Sequence, residues 1–375
     1  AAPVVAVDLP SGLDAGRAEP PGPHVQADLT VTFAAPKVAL LLAPAARAAG
    51  ELVVADLGIP PWVVEEADGD LHLLLAEELA PLLAPRRRQA HKGDFGHLLL
   101  VAGSAGKAGA AILAARGAVR SGAGLVTVGV PEPLLATVDG GSLESMTLAL
   151  PAREGRLGAG AVEAALAACE GRDALGMGPG LGTAGETGAA IRDIALRCPL
   201  PLLLDADAIN AFAGGGEALR QRRAPTVLTP HAGELGRLLA RATDEVVADR
   251  LGAAREAADR CRAVVVLKGH QTLVAAPEGG IWINPTGNPG LATGGTGDVL
   301  TGVLSALLAQ GFAAARAAGL GAYVHGLAGD LAAGRRGQRA LAAADLLDEL
   351  GAAFEQVAAA GGGGVRRRCW RRIAG

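Results

Sequence analysis

Residues 287–300 read GNPGLATGGTGDVL, and the other motifs of the chain make sense around this stretch. Glycines and small hydroxyl residues fill most of positions 293–298. Apolar residues then recur at the spacing of a helix: Val299, Leu300, Val303, Leu304, Leu307 and Leu308. A glycine-rich turn that opens a helix exposes free backbone N–H groups beside the positive end of the helix dipole. The stretch therefore predicts a seat for a phosphate group.

Asp298 stands at this seat, where its carboxylate would repel an anion if binding were the only task. Its presence is explained if it accepts a proton from a hydroxyl that attacks a phosphoryl group. The residues alone leave a second interpretation open, because Asp is a favoured N-cap residue and glycines before a helix make tight turns. The stretch lacks the Lys-Ser or Lys-Thr of a Walker A loop, and its spacing differs from the dinucleotide fingerprint G-x-G-x-x-G.

The composition narrows the class of protein. At 375 residues the chain can hold one large α/β domain and a smaller piece. Only 2% of the residues are aromatic, so we expect an adenine ring to lie between aliphatic side chains. A net charge of −4 and the lack of a long apolar run argue against nucleic-acid and membrane partners. Four scattered cysteines without a C-x-x-C pair argue against a zinc site and fit a reducing compartment, so we expect a cytoplasmic protein.

From about residue 72, continuous apolar strands alternate with helices, a pattern typical of an α/β protein whose parallel sheet is buried on both faces. Two glycine-rich loops, residues 103–109 and 178–182, follow such strands. Open α/β sheets bind ligands at the carboxyl ends of their strands, so these loops are predicted to face a substrate. The alternative for residues 103–109 is a tight turn that serves close packing.

Three other predicted strands end in polar residues. Asp205 and Asp207 suit either a hydrated magnesium ion or the fixing of loops, and Asp207 could instead cap the next helix. His231 is either catalytic or structural. Residues 268–272, KGHQT, offer a lysine and exposed amides to a nucleotide phosphate, with a solvated surface lysine as the alternative.

Six segments carry a family resemblance: HKGDFG (91–96), GMGPGLG (176–182), DADAIN (205–210), LTPHAGE (228–234), LKGHQT (267–272) and GNPGLATGGTGDVLTG (287–302). In this order they resemble the ADP/ATP-dependent NAD(P)H-hydrate dehydratases. The resemblance implies a ribokinase-like three-layer α/β/α sandwich with a mostly parallel sheet over residues 72–358. Residues 1–68, with AVDLPSGLD and ADLTVTFAAPK, resemble the C-terminal part of the Rossmann-like NAD(P)H-hydrate epimerase domain. The glycine-rich and basic residues 361–375 are predicted to form a disordered tail.

The resemblance implies a hydro-lyase that repairs the hydrates NADHX and NADPHX. ADP or ATP would phosphorylate the hydroxyl of the hydrate with Asp298 as the base, and loss of phosphate would regenerate NADH or NADPH. Magnesium would accompany the nucleotide, and a homo-oligomer is expected. The hydrate is expected to contact Ala110, Gly180, His231 and Asp298. The nucleotide is expected to contact Lys268, Gly269, His270, Gln271, Thr272, Gly294, Gly295, Thr296 and Gly297.

Asp8 and Ser11 match the substrate and potassium positions of the epimerase domain, but the earlier part of that domain is not in the sequence, so we expect no epimerase activity. The nearest rival function is a small-molecule alcohol kinase of the ribokinase-like superfamily, of the hydroxyethylthiazole or pyrimidine kinase type. That enzyme would use the same loop and base but leave a stable phosphorylated product. A rival of another class is a non-catalytic nucleotide-binding scaffold.

Overall fold

The computed structural model describes residues 2–60, 62–63, 69–361 and 370–373. These residues belong to two compact units, one drawn from residues 1–73 and 361–375 and the other from residues 74–360. In the first unit, strands β1 (Val5–Val7), β2 (Leu29–Phe33) and β3 (Glu51–Ala55) pair in parallel in that order. Helix α1 (Val38–Leu41), a 3₁₀ turn at Ala45–Ala48 and strand β4 (Leu71–Leu73) complete it.

The second unit alternates strands and helices. Its strands are β5 (His97–Val101), β6 (Leu125–Pro131), β7 (Met146–Leu150), β8 (Ala152–Arg153), β9 (Arg156–Leu157), β10 (Ala174–Met177), β11 (Leu202–Leu204), β12 (Thr226–Leu228), β13 (Val264–Leu267), β14 (Leu273–Ala275) and β15 (Ile281–Ile283). Its helices are α2 (Ala76–Leu79), α3 (Ala108–Arg120), α4 (Leu135–Gly141), α5 (Ala161–Ala167), α6 (Thr187–Arg197), α7 (Asp207–Asn210), α8 (Ala232–Leu239), α9 (Thr243–Ala248), α10 (Arg250–Cys261), α11 (Thr296–Ala309), α12 (Ala314–Arg336) and α13 (Ala343–Ala360). Short 3₁₀ turns lie at Ala80–Leu82, Lys92–Phe95, Glu132–Leu134, Gly216–Gln221, Pro289–Leu291 and Gln338–Ala340.

The central sheet of this unit runs in the order β15-β14-β13-β12-β11-β10-β5-β6-β7. All neighbours from β13 to β7 pair in parallel, and only β13 with β14 and β14 with β15 are antiparallel. From β5 the chain adds β6 and β7 on one side of that strand. It then returns to the other side of β5 with β10 and adds β11, β12 and β13 beyond it. The carboxyl ends of β5 and β10 therefore flank a topological switch point, where such sheets bind their ligands.

Strand β5 shows why the fold has three layers. Leu98 and Leu100 belong to the core cluster that includes α3, α11, α12 and α13, whereas the alternate residues Leu99 and Val101 are equally buried outside that cluster. Successive side chains of a strand point to opposite faces, so both faces of the sheet are covered. The predicted α/β/α sandwich with a mostly parallel sheet is confirmed. No helix in the described ranges combines the length and apolar character needed to cross a membrane.

Glycines allow α3 and α11 to pack unusually closely. A Cβ atom at Gly302 would lie 2.0 Å from the carbonyl oxygen of Ala114, and one at Gly117 would lie 2.7 Å from that of Val299. We expect Gly302→Ala to lower the free energy of unfolding by about 1–3 kcal/mol, the usual scale of overpacking, because two helix backbones must separate. Denaturant unfolding of the variant measures this loss.

Gly351→Ala is the matched control, because this glycine also lies inside a helix but a Cβ atom there would meet nothing within 4 Å. Helix propensity alone should then stabilise the protein by up to about 1 kcal/mol. Equal effects of the two alanines would contradict the packing argument.

The structure corrects one prediction about the C-terminus. Within residues 361–375, predicted to be disordered, Trp370–Ile373 form strand β16, which pairs antiparallel with β3. The rest of that prediction, residues 362–369 and 374–375, lies outside the described residues. The physical reason is the free edge of β3, whose N–H and C=O groups accept any extended segment within reach.

Candidate active site

Parallel pairing brings the predicted loops to one edge of the sheet. Because β5, β10, β11, β12 and β13 run in the same direction, the segments that follow them meet at their carboxyl ends. These segments contain residues 102–107, 178–186, 205–207, 229–231 and 268–272. The N-terminus of α11 joins them, since Asp298 interacts electrostatically with Asp205, Lys268, Asp207 and Lys107. One site therefore gathers residues that are far apart in the chain.

The switch point holds Ala110 and Gly180 against each other. The Gly103 N–H donates to the Pro179 carbonyl at 2.8 Å, and Ser104 Oγ donates to the Gly180 carbonyl at 2.6 Å. Gly180 has a left-handed φ of +66°, and a Cβ atom there would lie 3.1 Å from Ala110 Cβ. Both residues predicted to contact the hydrate thus border the same narrow space, which has no room for a larger side chain at position 180.

Helix α11 begins with its glycine-rich turn, as the sequence predicts. Gly295, with φ of +95°, is the N-cap, and Asp298 is the third helical residue without a capping hydrogen bond. The interpretation of Asp298 as an N-cap is therefore wrong. A Cβ atom at Gly295 would lie 2.6 Å from Leu113 Cδ1, so this glycine also serves packing. Gly294 is exposed at the start of the turn.

The carboxyl group of Asp298 titrates unusually high. Burial and the negative charge of Asp205 raise its pKa, Lys268 opposes both effects, and the net pKa is about 6. A carboxylate poised near neutral pH is able to accept a proton and release it again, as a general base requires.

Asp205 is the buried anchor of the site, with 1% of its surface exposed. Its Oδ1 accepts hydrogen bonds from Lys268 Nζ and Thr229 Oγ1, both at 2.7 Å. Its Oδ2 accepts one from Thr301 Oγ1 at 2.8 Å. Glu234 Oε2 stands 3.7 Å from the same lysine nitrogen. Burial by itself lowers the pKa of Lys268, but the two carboxylates outweigh it and the net pKa is raised, so the lysine is a fixed cation.

These contacts show what each of the two aspartates holds in this structure. Asp205 fixes loops, because its carboxylate is engaged by three side chains. Asp207 follows the N-cap Ala206 and does not cap α7; its Oδ2 accepts the Gly182 N–H at 2.8 Å and lies 3.5 Å from Lys107 Nζ. Within the described ranges, no group of three or more His, Cys, Asp or Glu residues could hold a metal ion. A contact of Asp205 or Asp207 with a magnesium ion that accompanies the nucleotide stays a prediction.

The segment 268–272 lines a cavity of about 410 Å³ together with Thr296 and Gly297 of α11. A Cβ atom at Gly297 would lie 3.7 Å from Lys268 Nζ, so the lysine points at the helix terminus that is predicted to seat a phosphate. The lining also includes a set of aliphatic residues, here called the aliphatic wall: Pro289, Leu291, Ala292, Leu300 and Ala322. This wall matches the expectation that an adenine ring lies between aliphatic side chains.

Arg250, on α10, holds the backbone of segment 268–272 and of the residue before it through hydrogen bonds. Its guanidinium donates to the carbonyl groups of His270 at 2.6 Å, Gln271 at 3.3 Å and Leu267 at 3.4 Å. Burial lowers the pKa of Arg250, but an arginine remains charged at neutral pH. The segment is thereby held in a conformation that includes a left-handed Gln271, with φ of +52°.

His231 serves as a helix cap. Its Nδ1 accepts the N–H groups of Gly233 at 3.0 Å and Glu234 at 3.3 Å, and Glu234 Oε2 accepts the His231 N–H at 2.8 Å. Since Nδ1 is an acceptor, Nε2 carries the proton of the neutral ring. The side chain is 54% exposed and still free to contact a ligand, which stays a prediction.

In the first unit, the carboxylate of Asp8 accepts hydrogen bonds from Lys37 Nζ, Thr32 Oγ1 and the Phe33 N–H, and the Lys37 bond lowers its pKa. Ser11 is exposed, and its carbonyl accepts the Val25 N–H. Neither observation tests the roles that the epimerase resemblance implies for these residues.

A family model described as NAD(P)H-hydrate dehydratase matches residues 98–351. The chain belongs to this family. A second model, described as YjeF-related protein N-terminus, matches residues 1–39. The resemblance drawn from the motifs is therefore confirmed for both parts of the chain.

Curated relatives of the family carry both parts. The bifunctional NAD(P)H-hydrate repair enzyme Nnr of Moorella thermoacetica is 45% identical over 347 residues, which cover 92% of this chain and 66% of that protein. The enzyme of the same name from Escherichia coli is 38% identical over 349 residues, or 93% and 65% of the two chains. The chain thus spans about two thirds of the length of these relatives.

Two solved structures are similar to this chain in sequence and fold. The ADP/ATP-dependent NAD(P)H-hydrate dehydratase of Bacillus subtilis, co-crystallised with ATP and Mg²⁺, is 32% identical with a TM-score of 0.65, covering 76% of this chain and 98% of that one. A ribokinase-like superfamily protein of Enterococcus faecalis is 26% identical with the same TM-score of 0.65, covering 77% and 97%.

Sequence reasoning missed two residues that shape the family's site in this chain. His325 lines the cavity, its Nε2 donates to the Thr296 carbonyl at 2.9 Å, and burial lowers its pKa to about 4, so the ring is neutral. Asp330 accepts the Gly287 N–H and Asn288 Nδ2, both at 2.9 Å, and so holds the start of the glycine-rich stretch. The sequence signal for both residues was YVHGLAGD, where His325 and Asp330 interrupt a run of mostly small and apolar residues.

Proposed function

We propose that this protein dehydrates NADHX and NADPHX to NADH and NADPH at the expense of ADP, or alternatively of ATP. The observation that carries the proposal is the convergence of three features at the N-terminus of α11. These features are a carboxyl group with a pKa of about 6, a fixed lysine ammonium and a cavity of about 410 Å³ lined by that lysine.

The reaction has two stages. The hydroxyl oxygen of the hydrate attacks the terminal phosphoryl group of the nucleotide, the bond to the leaving AMP (or ADP) breaks, and Asp298 takes the hydroxyl proton. The C–O bond then breaks with electrons from the ring nitrogen, phosphate leaves, and loss of a proton from the neighbouring carbon restores the double bond. Phosphorylation is needed because hydroxide is a poor leaving group.

The residues around the N-terminus of α11 support the phosphoryl-transfer stage. The N–H groups at the start of α11 and the ammonium of Lys268 neutralise charge on the transferring phosphoryl group. Segment 268–272 and the aliphatic wall hold the nucleotide, while Ala110 and Gly180 border the nicotinamide end. Magnesium would enter with the phosphates of the nucleotide, which supply the oxygen ligands it prefers. ADP is the proposed donor because the two-part layout resembles the bacterial repair enzymes.

The rate constant kcat/KM should depend on pH through Asp298. Its base form is lost as pH falls through about 6, so kcat/KM should decline about tenfold per pH unit below that value and level off above it. Initial rates measured between pH 5 and 8 test this, using roughly half-unit steps. A profile that stays flat down to about pH 5 would remove Asp298 from the role of base.

The deciding experiment mixes acid-hydrated NADH with the protein, magnesium and either ADP or ATP, and follows recovery of the reduced-nicotinamide absorbance. Recovery that requires a nucleotide establishes the dehydratase and identifies its phosphoryl donor. A stable phosphorylated alcohol without recovery would favour an alcohol kinase. Nucleotide binding without any turnover would favour a scaffold.

We also propose that the enzyme acts in the cytoplasm as a homo-oligomer. The net charge and the buried free thiols Cys169, Cys198 and Cys261 support the first point, and the family resemblance supports the second. Light scattering coupled to size-exclusion chromatography measures the assembly directly.

A further inference from the structure

A second cavity, of about 340 Å³, lies away from the nucleotide segment. It is bounded by the β8–β9 hairpin and by the turn that leads into α6, with Arg153, Arg156, Glu154, Glu186 and Thr187 in its lining. We call it the hairpin cavity. The proposed reaction assigns no role to this cavity.

The hairpin cavity is built onto the substrate side of the site. The Ala105 N–H, in the loop after β5, donates to the Gly155 carbonyl at the hairpin turn at 2.8 Å. Thr187 Oγ1 donates to the Leu157 carbonyl at 3.1 Å and ties the hairpin to α6. The loop after β5 therefore contacts the hairpin, and the loop after β10 continues into the turn that lines the cavity.

The separation between Gly180 and the hairpin cavity suits one long ligand. The turn that lines the hairpin cavity begins at Ala184, four residues after Gly180, and four extended residues span at most about 14 Å. A hydrated dinucleotide has its reacting ring at one end and its pyrophosphate and adenosine some distance along a flexible chain. With the ring beside Asp298 and Gly180, a cavity within this upper limit lies in reach of the phosphate-bearing part of the substrate.

Arg153, Glu154, Arg156 and Glu186 are the charged residues in the lining, and Arg156 is the arginine among them that has no carboxylate partner in the part of the chain that the structure describes. Arg153 NH1 pairs with Glu186 Oε1 at 3.1 Å, and Glu186 Oε2 accepts the Ala159 N–H at 3.1 Å, so this carboxylate is already neutralised. The exposed guanidinium of Arg156 makes no side-chain hydrogen bond or ion pair with the part of the chain that the structure describes. An unpaired guanidinium in a cavity offers a fork of donors that matches a phosphate.

We propose that the hairpin cavity binds a phosphate group of the dinucleotide hydrate, with Arg156 as its ligand. This inference rests on the proposed function. It names a binding site for the phosphate-bearing half of the substrate, for which the proposed reaction names no residue. The phosphate is either one of the pyrophosphate, present in both hydrates, or the 2′-phosphate, present only in NADPHX.

Arg156→Ala tests the inference. The lost charge-assisted hydrogen bonds should raise KM for the hydrate by about 10- to 100-fold while kcat and KM for ADP change little. An increase for both hydrates identifies the pyrophosphate, and an increase for NADPHX alone identifies the 2′-phosphate. Unchanged KM values for both hydrates overturn the inference.

A binding measurement separates this inference from the proposed function. Fluorescence titration with NADPH, which carries the same phosphates, should give a Kd weakened by a similar factor in Arg156→Ala. Arg223→Ala is the matched control, since this exposed arginine precedes β12 at the opposite end of the strands. Failure of the wild type to turn over the hydrate defeats the proposed function, whereas equal NADPH binding by the wild type and Arg156→Ala, or none by the wild type, defeats the inference.

Discussion

Asp298→Asn should lower the turnover number by about 10²–10⁴, the usual scale for loss of a general base, while ADP binding is retained. The amide has the shape of the carboxyl group, so the glycine-rich turn and the cavity should persist. It has no basic oxygen, so the hydroxyl proton has no acceptor. Turnover is followed by nicotinamide recovery and the Kd for ADP by calorimetry.

Asp345→Asn is the control, because Asp345 occupies the same third position of its own helix, α13, where its side chain is 14% exposed and pairs with Arg336 at 2.9 Å. This variant shows whether loss of a carboxylate from the first turn of a helix changes turnover through helix stability alone. Turnover in Asp345→Asn should equal that of the wild type. A wild-type turnover number in Asp298→Asn would show that another group takes the proton.

Asp205→Asn should weaken ADP binding and shift the pH profile. Lys268 loses the carboxylate 2.7 Å from its ammonium and keeps the weaker interactions with Glu234, at 3.7 Å, and with Asp298, so the ammonium is held less firmly near the phosphate seat. We expect KM for ADP to rise at least about tenfold. Because the charge of Asp205 raises the pKa of Asp298, its removal should also move the acidic limb of kcat/KM to lower pH. Steady-state kinetics across pH report both effects.

Thr301→Val separates charge from packing at this position. It removes the hydrogen bond to Asp205 Oδ2 and keeps the buried charge, with a side chain of the same shape. It should cost about 1 kcal/mol of stability and leave the acidic limb in place. If the limb moved equally in both variants, the position of Asp205 in the core, not its charge, would set the pKa of Asp298.

The fold could be predicted because its signals are local. Continuous apolar strands such as His97–Val101 can be buried only inside a sheet, and their alternation with helices indicates parallel pairing. The glycine-rich turn before α11 lies within a few residues of Asp298, the predicted base. The strand Trp370–Ile373 escaped prediction because nothing in a basic, glycine-flanked segment signals the free edge that it joins.

The sequence by itself determined the family, the α/β class and the glycine-rich turn beside Asp298, since each depends on residue types at close spacing; the phosphate seat and the role of Asp298 as a base stay predictions. Only the tertiary structure decided what Asp205 does, because its partners Lys268 and Thr301 stand 63 and 96 positions away and meet it through strand order. The same holds for the pKa of Asp298, which depends on burial and on charges from other strands. Contacts across such separations follow from how the sheet is wound, and no local pattern encodes them.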